Sequence, residues 1–378
     1  MLPAESTRLR ILFVGMRPPR LPIRDGYVLH LHHLLVEAHK RHNARFLAPS
    51  DGAGPFEDIG GLSTFLVSRS RTRFIHQITE HVAEYHPDLV HVVGAPLAGV
   101  IRALPPELPT VLGVLDAPHL NIEAIEARGP IATLRKQVRH ARAISTIRRS
   151  YGAAQRVVVV SAEDGAAIER ERPGLPISVI PNGVDFEAFD NRPHLPRQSD
   201  HLMFTGALDY APNIAAARFL AQEVLPKIRE RHPSARLSIV GRDPAVEVTD
   251  LDKRPGVSVV GPVDDMGDAL STASIYLCPM ISGTGIKNKL LEALANGLPC
   301  VASELAVRGT RLKHGAELLI ANTPDEIADA SVRLLSDERL REELSEAGRR
   351  FVIANHTWMS VADQYSRIYR EVIATADA

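Results

Sequence analysis

Cysteine, aromatic residues and long apolar runs are all scarce in this chain, and each scarcity removes a class of protein. Two cysteines, Cys278 and Cys300, occur in 378 residues, too few for a disulfide-stapled scaffold. Both fall in apolar runs that read as buried strands carrying reduced thiols. No Cys/His spacing resembles a metal site, so no metal ligand is expected. No stretch approaches the roughly 20 apolar residues of a membrane-spanning helix. The longest early apolar run, 11–14, is far short of a signal core, so a cytoplasmic protein is expected. An excess of one charge is missing too: 44 Lys and Arg against 45 Asp and Glu give a net charge of −1. Nothing in that total suggests a nucleic-acid partner, and any charge-driven contact has to be local.

What is present is alternation. The length argues for about two domains. Short β-branched runs at 10–14, 44–47, 89–93, 110–115, 156–160 and 177–180 read as strands, and a second series follows at 201–205, 236–240, 257–260, 275–279 and 299–302. Helical patterns lie between most of them, for example 28–42, 214–231, 287–296 and 324–336, and two more close the chain at 337–354 and 358–375. Strand–helix alternation predicts an α/β protein with parallel sheets and right-handed crossovers. A polar, proline-containing stretch at 191–200, just after P-N-G-V-D-F, has linker composition. The expected division is therefore a first domain of 1–180, a linker of 181–199 and a second domain of 200–357. Ligands of open parallel sheets bind beyond the carboxyl ends of the strands, and the chemistry is expected there.

The most informative stretch is S-G-T-G-I-K-N-K-L-L-E-A-L-A-N-G-L-P-C-V-A-S, 282–303. A strand ends at Pro279, and a turn containing Gly283 and Gly285 leads into a helix that stops at Gly297. Glycines let successive N–H groups point the same way, and with the positive end of a helix they suit a phosphate. Lys287 and Lys289 stand where the helix dipole favours anions, a conflict that a bound diphosphate removes; the alternative is two solvated lysines. Glu292, three residues after Lys289 on the same helical side, could accept bonds from two vicinal hydroxyls of a ribose, or simply pair with Lys289.

The run G-x-K-N-K-L-L-E-A-L-A-N-G-L-P-C-V-A-S resembles the nucleotide-binding signature of retaining glycosyltransferases of family four. Within that family it is similar to the sugar transferases associated with exopolysaccharide and PEP-CTERM systems. Three further segments agree: S-V-I-P-N-G-V-D-F-E-A-F at 178–189, F-T-G-A-L-D-Y-A-P-N at 204–213 and S-I-V-G-R-D-P at 238–244. The likeness is strong over about residues 155–360 and weak over the first 150. It implies a GT-B fold, two facing Rossmann-like doubly wound domains, with the last helix, 358–376, crossing back to the first domain. It implies a nucleotide-sugar donor of UDP or GDP type, no other cofactor and no metal, and an acceptor that is a sugar, a lipid-linked sugar or a small molecule. The donor-binding set it implies is Gly26, Gly206, Arg242, Gly283, Thr284, Gly285, Ile286, Lys287, Lys289 and Glu292. The chain departs from the pattern at three places. Thr284 stands where many members carry a glutamate, and Ala207 and Pro212 stand where many carry an arginine and a lysine. Lys287, Lys289 and Arg242 would then have to neutralise the diphosphate.

In the first half, the loop after the opening strand holds Arg17, Arg20 and Arg24, and Asp25-Gly26 sits where relatives carry a glycine pair near the donor phosphates. The arginines meet acceptor or phosphate oxygens, or the loop is simply solvated. His30, His32 and His33 read as helix-surface or interface residues. At the end of a strand, L-D-A-P-H places Asp116 and His119 as the catalytic pair, a carboxylate to orient the acceptor or stabilise an oxocarbenium-like transition state and a partner for it; a helix N-cap is the other reading of Asp116. Asp264-Asp265 reads as structural. The segment 128–156 has no acidic residue: Ile131, Leu134, Val138, Ala141 and Ile144 fall at helical spacing beside Arg135, Arg139, Arg142 and Arg149. Such a helix either lies on anionic lipid, giving peripheral membrane contact, or packs its apolar stripe on the sheet. Two other functions stay open: a nucleotide-sugar 2-epimerase of the same fold, and a non-catalytic sugar-nucleotide-binding protein.

Overall fold

The computed structural model describes residues 8–21, 26–52, 59–123, 129–186, 189, 198–283 and 285–376. The chain forms two compact units, Met1–Asn182 with Trp358–Ala378, and Gly183–Thr357.

The first unit is built on seven parallel strands: β1 (Arg10–Gly15), β2 (Asn43–Pro49), β3 (Ser63–Val67), β4 (Leu89–Val93), β5 (Thr110–Val114), β6 (Arg156–Val159) and β7 (Ile177–Val179), in the order β3-β2-β1-β4-β5-β6-β7. Successive residues of β1 go to opposite sides of the sheet. Ile11 and Phe13 join a core with the helices Gly26–Arg41 and Trp358–Ala376, while Leu12 and Val14 join another with the helix Arg71–Tyr85. Burial on both faces explains why these strands read as continuous apolar runs. His91 interrupts the run of β4 because it faces the last helix, where its Nδ1 bonds the Tyr369 hydroxyl at 2.8 Å.

The second unit has six parallel strands: β8 (His201–Thr205), β9 (Arg236–Val240), β10 (Val257–Val260), β11 (Ile275–Cys278), β12 (Cys300–Ala302) and β13 (Leu319–Ile320), ordered β10-β9-β8-β11-β12-β13. In each sheet the winding reverses once, between β1 and β4 and between β8 and β11. Loops leaving the carboxyl ends at such a point diverge and leave a crevice.

Local chemistry sets the element ends. Thr323 and Glu326 form a reciprocal capping box at the start of the helix Pro324–Ser336. Asp265 caps the helix Met266–Ser271 by accepting the Asp268 N–H at 2.9 Å, the structural role expected of it. Both cysteines are buried free thiols.

Three readings of the pattern are corrected. The strands β3 and β13 carry no clear run in sequence; β3 is an edge strand whose residues are mostly part-exposed, and β13 is two residues long. The helix expected at 214–231 starts earlier, at Ala211, and is interrupted by a π-turn, Leu220–Val224. Pro226 explains the interruption, since it lacks the N–H that would bond the carbonyl of Gln222. His30, expected at a surface or interface, is 2% exposed and sits in the core between Asn182 and Tyr365, with ring-nitrogen contacts of 2.9 and 3.4 Å.

Candidate functional site

In the second unit the winding reverses where Gly206 follows β8 and β11 runs into the glycine-rich loop, the place where a ligand crevice is expected. Backbones converge tightly here: a Cβ on Gly241 would lie 1.7 Å from the Gly206 carbonyl oxygen, so only glycine fits at the end of β9. Gly283 and Gly285 have φ of 100° and 71°, conformations that side-chain-bearing residues avoid. The Ser303 hydroxyl holds the beginning of this loop by donating to the Met280 carbonyl at 2.7 Å, and Gly283 lies against Pro212, whose Cβ is 3.5 Å from the position of an added methyl.

The helix after the loop is Asn288–Ala295, one residue later than the pattern predicts, which makes Lys287 its N-cap. The two lysines are used differently. Lys287 is 8% exposed, and its ammonium turns back to donate to the carbonyls of Gly285 at 2.7 Å and Gly283 at 3.3 Å, bracing the loop. Lys289 reaches the end of β8. Its Nζ donates to Asn213 Oδ1 at 2.5 Å and stands 4.5 Å from the centre of the Phe204 ring. Burial is the main reason its pKa is pushed down to about 8; Glu292 and Cys278 oppose that shift, and Lys287 adds to it. Burial likewise raises the Glu292 carboxyl, against the pull of Lys289. Among the described residues the Glu292 carboxylate has no hydrogen-bond partner. The Cys278 thiol, pushed up to about 11 by burial, stays protonated beside them.

The structure therefore brings together Gly206, Gly283, Gly285, Ile286, Lys287, Lys289 and Glu292. Arg242 is on the next loop, after β9, where it is over half exposed and paired with Asp243 at 2.7 Å. Thr284 lies outside the described residues. Asn213, 5% exposed and third in the helix Ala211–Phe219, belongs to this group and has no assigned role in the sequence reading. Its only signal is a polar residue in an apolar helix beginning A-P-N.

In the first unit, Gly26 opens the helix Gly26–Arg41, and among the described residues nothing lies within 4 Å of the position a Cβ would take there. Arg17 lies over the Tyr27 ring at 5.4 Å, and Arg20 is spent on Asp51 in a two-point ion pair of 2.5 and 2.9 Å. Arg24 and Asp25 lie outside the described residues. Asp116 follows β5, part-exposed, two residues before the helix Pro118–Glu123 begins. His119 is buried: it is 5% exposed, its ring sits 6.2 Å from that of His140, its Nδ1 has no hydrogen-bond partner among the described residues, and burial lowers its pKa. The helix Pro130–Ser150 carries the expected stripe, but its first half is open to solvent, with Ile131, Leu134 and Val138 exposed to 69, 61 and 41%.

Comparison with known proteins agrees with this layout. Residues 24–188 match the family Glycosyltransferase Family 4, and residues 199–337 match Glycosyl transferases group 1. The chain is 30% identical over 274 residues to the phosphatidyl-myo-inositol mannosyltransferase of Mycolicibacterium smegmatis, covering 68% of this chain and 69% of that protein. The enzyme of the same name from Mycobacterium tuberculosis (strain H37Rv) is 32% identical over 206 residues, 51% of this chain and 53% of that one. The chain thus spans about half the length of several curated relatives it matches. Among solved structures, HepE of Anabaena in complex with UDP superposes with a TM-score of 0.70 at 15% identity, over 96% of this chain and all of that one. Two all-parallel Rossmann-like units, the paired domain matches and the mannosyltransferase relatives place the chain among the glycosyltransferases of the GT-B fold.

Proposed function

We propose that this chain transfers a glycosyl group from a nucleotide diphosphate to an acceptor hydroxyl, with retention at the anomeric carbon, in the synthesis of a cell-surface polysaccharide or glycoconjugate. The observation that carries this reading is the crevice between β8 and β11. There a helix N-terminus, two left-handed glycines, a part-buried lysine ammonium and a carboxylate without a hydrogen-bond partner among the described residues meet at the ends of two parallel strands. Glu292 takes the ribose hydroxyls. Lys289 and the N–H groups around Gly283–Ile286 take the diphosphate and stabilise it as it leaves. Lys287 keeps the loop in shape for that task. Thr284 is assigned to the transferred sugar. In the first unit, Asp116, at the carboxyl end of its own sheet, orients the acceptor hydroxyl, and His119 supports that turn from within. Arg242 completes the phosphate surroundings.

A UDP donor is supported by the likeness to HepE, solved with UDP, and a GDP donor is the other member of the class. A lipid-linked acceptor is supported by relatives named for phosphatidyl-myo-inositol and by the exposed, acid-free helix Pro130–Ser150. No described helix is long and apolar enough to cross a membrane, so the contact proposed is peripheral, at a cytoplasmic face.

The test is product analysis with UDP- and GDP-linked hexoses, with and without a lipid extract. Acceptor-dependent release of nucleotide, with an axial or equatorial linkage matching that of the donor, supports the reading. Conversion of the donor sugar without acceptor would instead identify an epimerase.

A further inference from the structure

The two positions at which many relatives carry cations are held here by Ala207 and Pro212. The turn they belong to carries a cation all the same, delivered from the other strand. Lys289, on the helix that follows β11, brings its Nζ to 2.8 Å from the point that a Cβ on Gly206 would occupy. Asn213 holds it there. The Asn213 Nδ2 donates to the Ala207 carbonyl at 2.9 Å, which decides which end of the amide faces which way. The oxygen end is thereby turned to Lys289 and accepts from its Nζ at 2.5 Å. An acceptor fixed in this way bonds the charged ammonium more strongly than the neutral amine.

We propose that Asn213 is a positioning residue of the donor site: it fixes the Lys289 ammonium over the Gly206 turn and keeps it charged, so that one lysine does for a diphosphate what a cation at each of positions 207 and 212 would do. The inference rests on the nucleotide-diphosphate reading of this crevice. The groups facing the ammonium are Glu292 and Lys287 beside it in sequence, and Cys278 at the end of β11; the Phe204 ring of β8 lies beneath it. Burial brings the ammonium down to about 8, so its charge is conditional near neutral pH, and an acceptor that is added or removed changes how much of it is present.

The experiment measures dissociation constants of UDP and GDP, and of uridine and guanosine, from about pH 6.5 to about pH 9. It compares the wild type, Asn213→Ala and Asn213→Asp. For whichever diphosphate binds, wild-type affinity is expected to fall as pH rises through about 8. Asn213→Ala removes the acceptor, so the fall moves to lower pH and binding near pH 8 weakens about tenfold. Asn213→Asp places a carboxylate there, so the fall moves to higher pH. Nucleoside affinity is unchanged in both. Opposite displacements of one pH limb are not what loss of structure produces, and the two variants check each other's folding. Identical pH profiles in all three proteins, or equal losses for nucleoside and diphosphate, would overturn the assignment of Asn213 and leave the donor reading in place. Absence of binding by either diphosphate to the wild type would remove the donor reading, and this inference with it.

Discussion

In the proposed reading, donor recognition turns on Glu292. It is an acid held partly out of water with its carboxyl raised, the arrangement of a group that waits for hydroxyl donors. Hydrogen bonds to a charged group are worth about 1.5–3 kcal/mol, so Glu292→Gln should weaken UDP or GDP binding by about 10- to 100-fold. It should have a smaller effect on a 2′-deoxy nucleotide, which has already lost one of the two bonds; calorimetry with both ligands checks this. The same substitution should raise the thermal midpoint of the free protein. The sign follows from the raised carboxyl: burial makes the ionised form unfavourable in the folded state, so any stabilising contribution belongs to low pH and is lost as pH rises through the folded value. At neutral pH a glutamine is the easier residue to bury, and a gain of about 2 °C, read by differential scanning calorimetry, is expected. Gly241→Ala should do the reverse. Its new Cβ would meet the backbone oxygen of Gly206 at 1.7 Å, so β8 and β9 have to separate at the site, at a cost of more than about 2 kcal/mol in urea unfolding.

At the scale of elements, two helices carry consequences of their own. The last helix, Trp358–Ala376, is sealed to the first unit by buried histidines: His91 of β4 against Tyr369, His42 against Ser366 and His30 of the helix Gly26–Arg41 beside Tyr365. Burial pushes His30 down to about 4 and His91 to about 3. Both are neutral when folded and protonate near pH 6.5 when unfolded, so their stability is present in full above that value and is lost as pH falls through it. Each adds a slope of about 1.4 kcal/mol per pH unit between pH 6 and pH 4. Acid unfolding followed by circular dichroism should show this slope, and it should flatten in a His91→Gln variant. The helix Pro130–Ser150 makes the opposite kind of surface, apolar and basic but open. Sedimentation with phosphatidylglycerol vesicles should retain the protein and phosphatidylcholine vesicles should not. Replacing Ile131, Leu134 and Val138 by serine should abolish retention, and raising salt should weaken it, since each basic side chain near the surface contributes about 1 kcal/mol of electrostatic attraction. These two helices also mark the limit of what the sequence reveals. Both are legible as helices from their apolar spacing, but spacing alone cannot say that one stripe is buried on a sheet and the other left in solvent. Strands were legible where both faces are buried, as in β4 and β8, and not in β3, whose partial exposure dilutes the run.

At the scale of the whole molecule, the chain is a GT-B glycosyltransferase, and its proposed donor site lies at the winding reversal of its second sheet. Much of that site was legible because Gly283, Gly285, Lys287, Lys289 and Glu292 fall in one short stretch. Asn213 was not, because it lies 76 positions from Lys289 and meets it only when β8 and β11 become neighbours. The division of labour between the lysines was also invisible, since the sequence places both in one helical turn while the fold sends one to the loop carbonyls and the other to Gly206. The measurement that tests the central claim most directly is calorimetric titration of the full chain with UDP and with GDP, repeated for Glu292→Ala and Lys289→Ala. The account predicts saturable binding of at least one diphosphate at one site per chain, weakened at least about tenfold by each substitution. Binding that both substitutions leave unchanged, or no binding of either nucleotide at millimolar concentration, would contradict it.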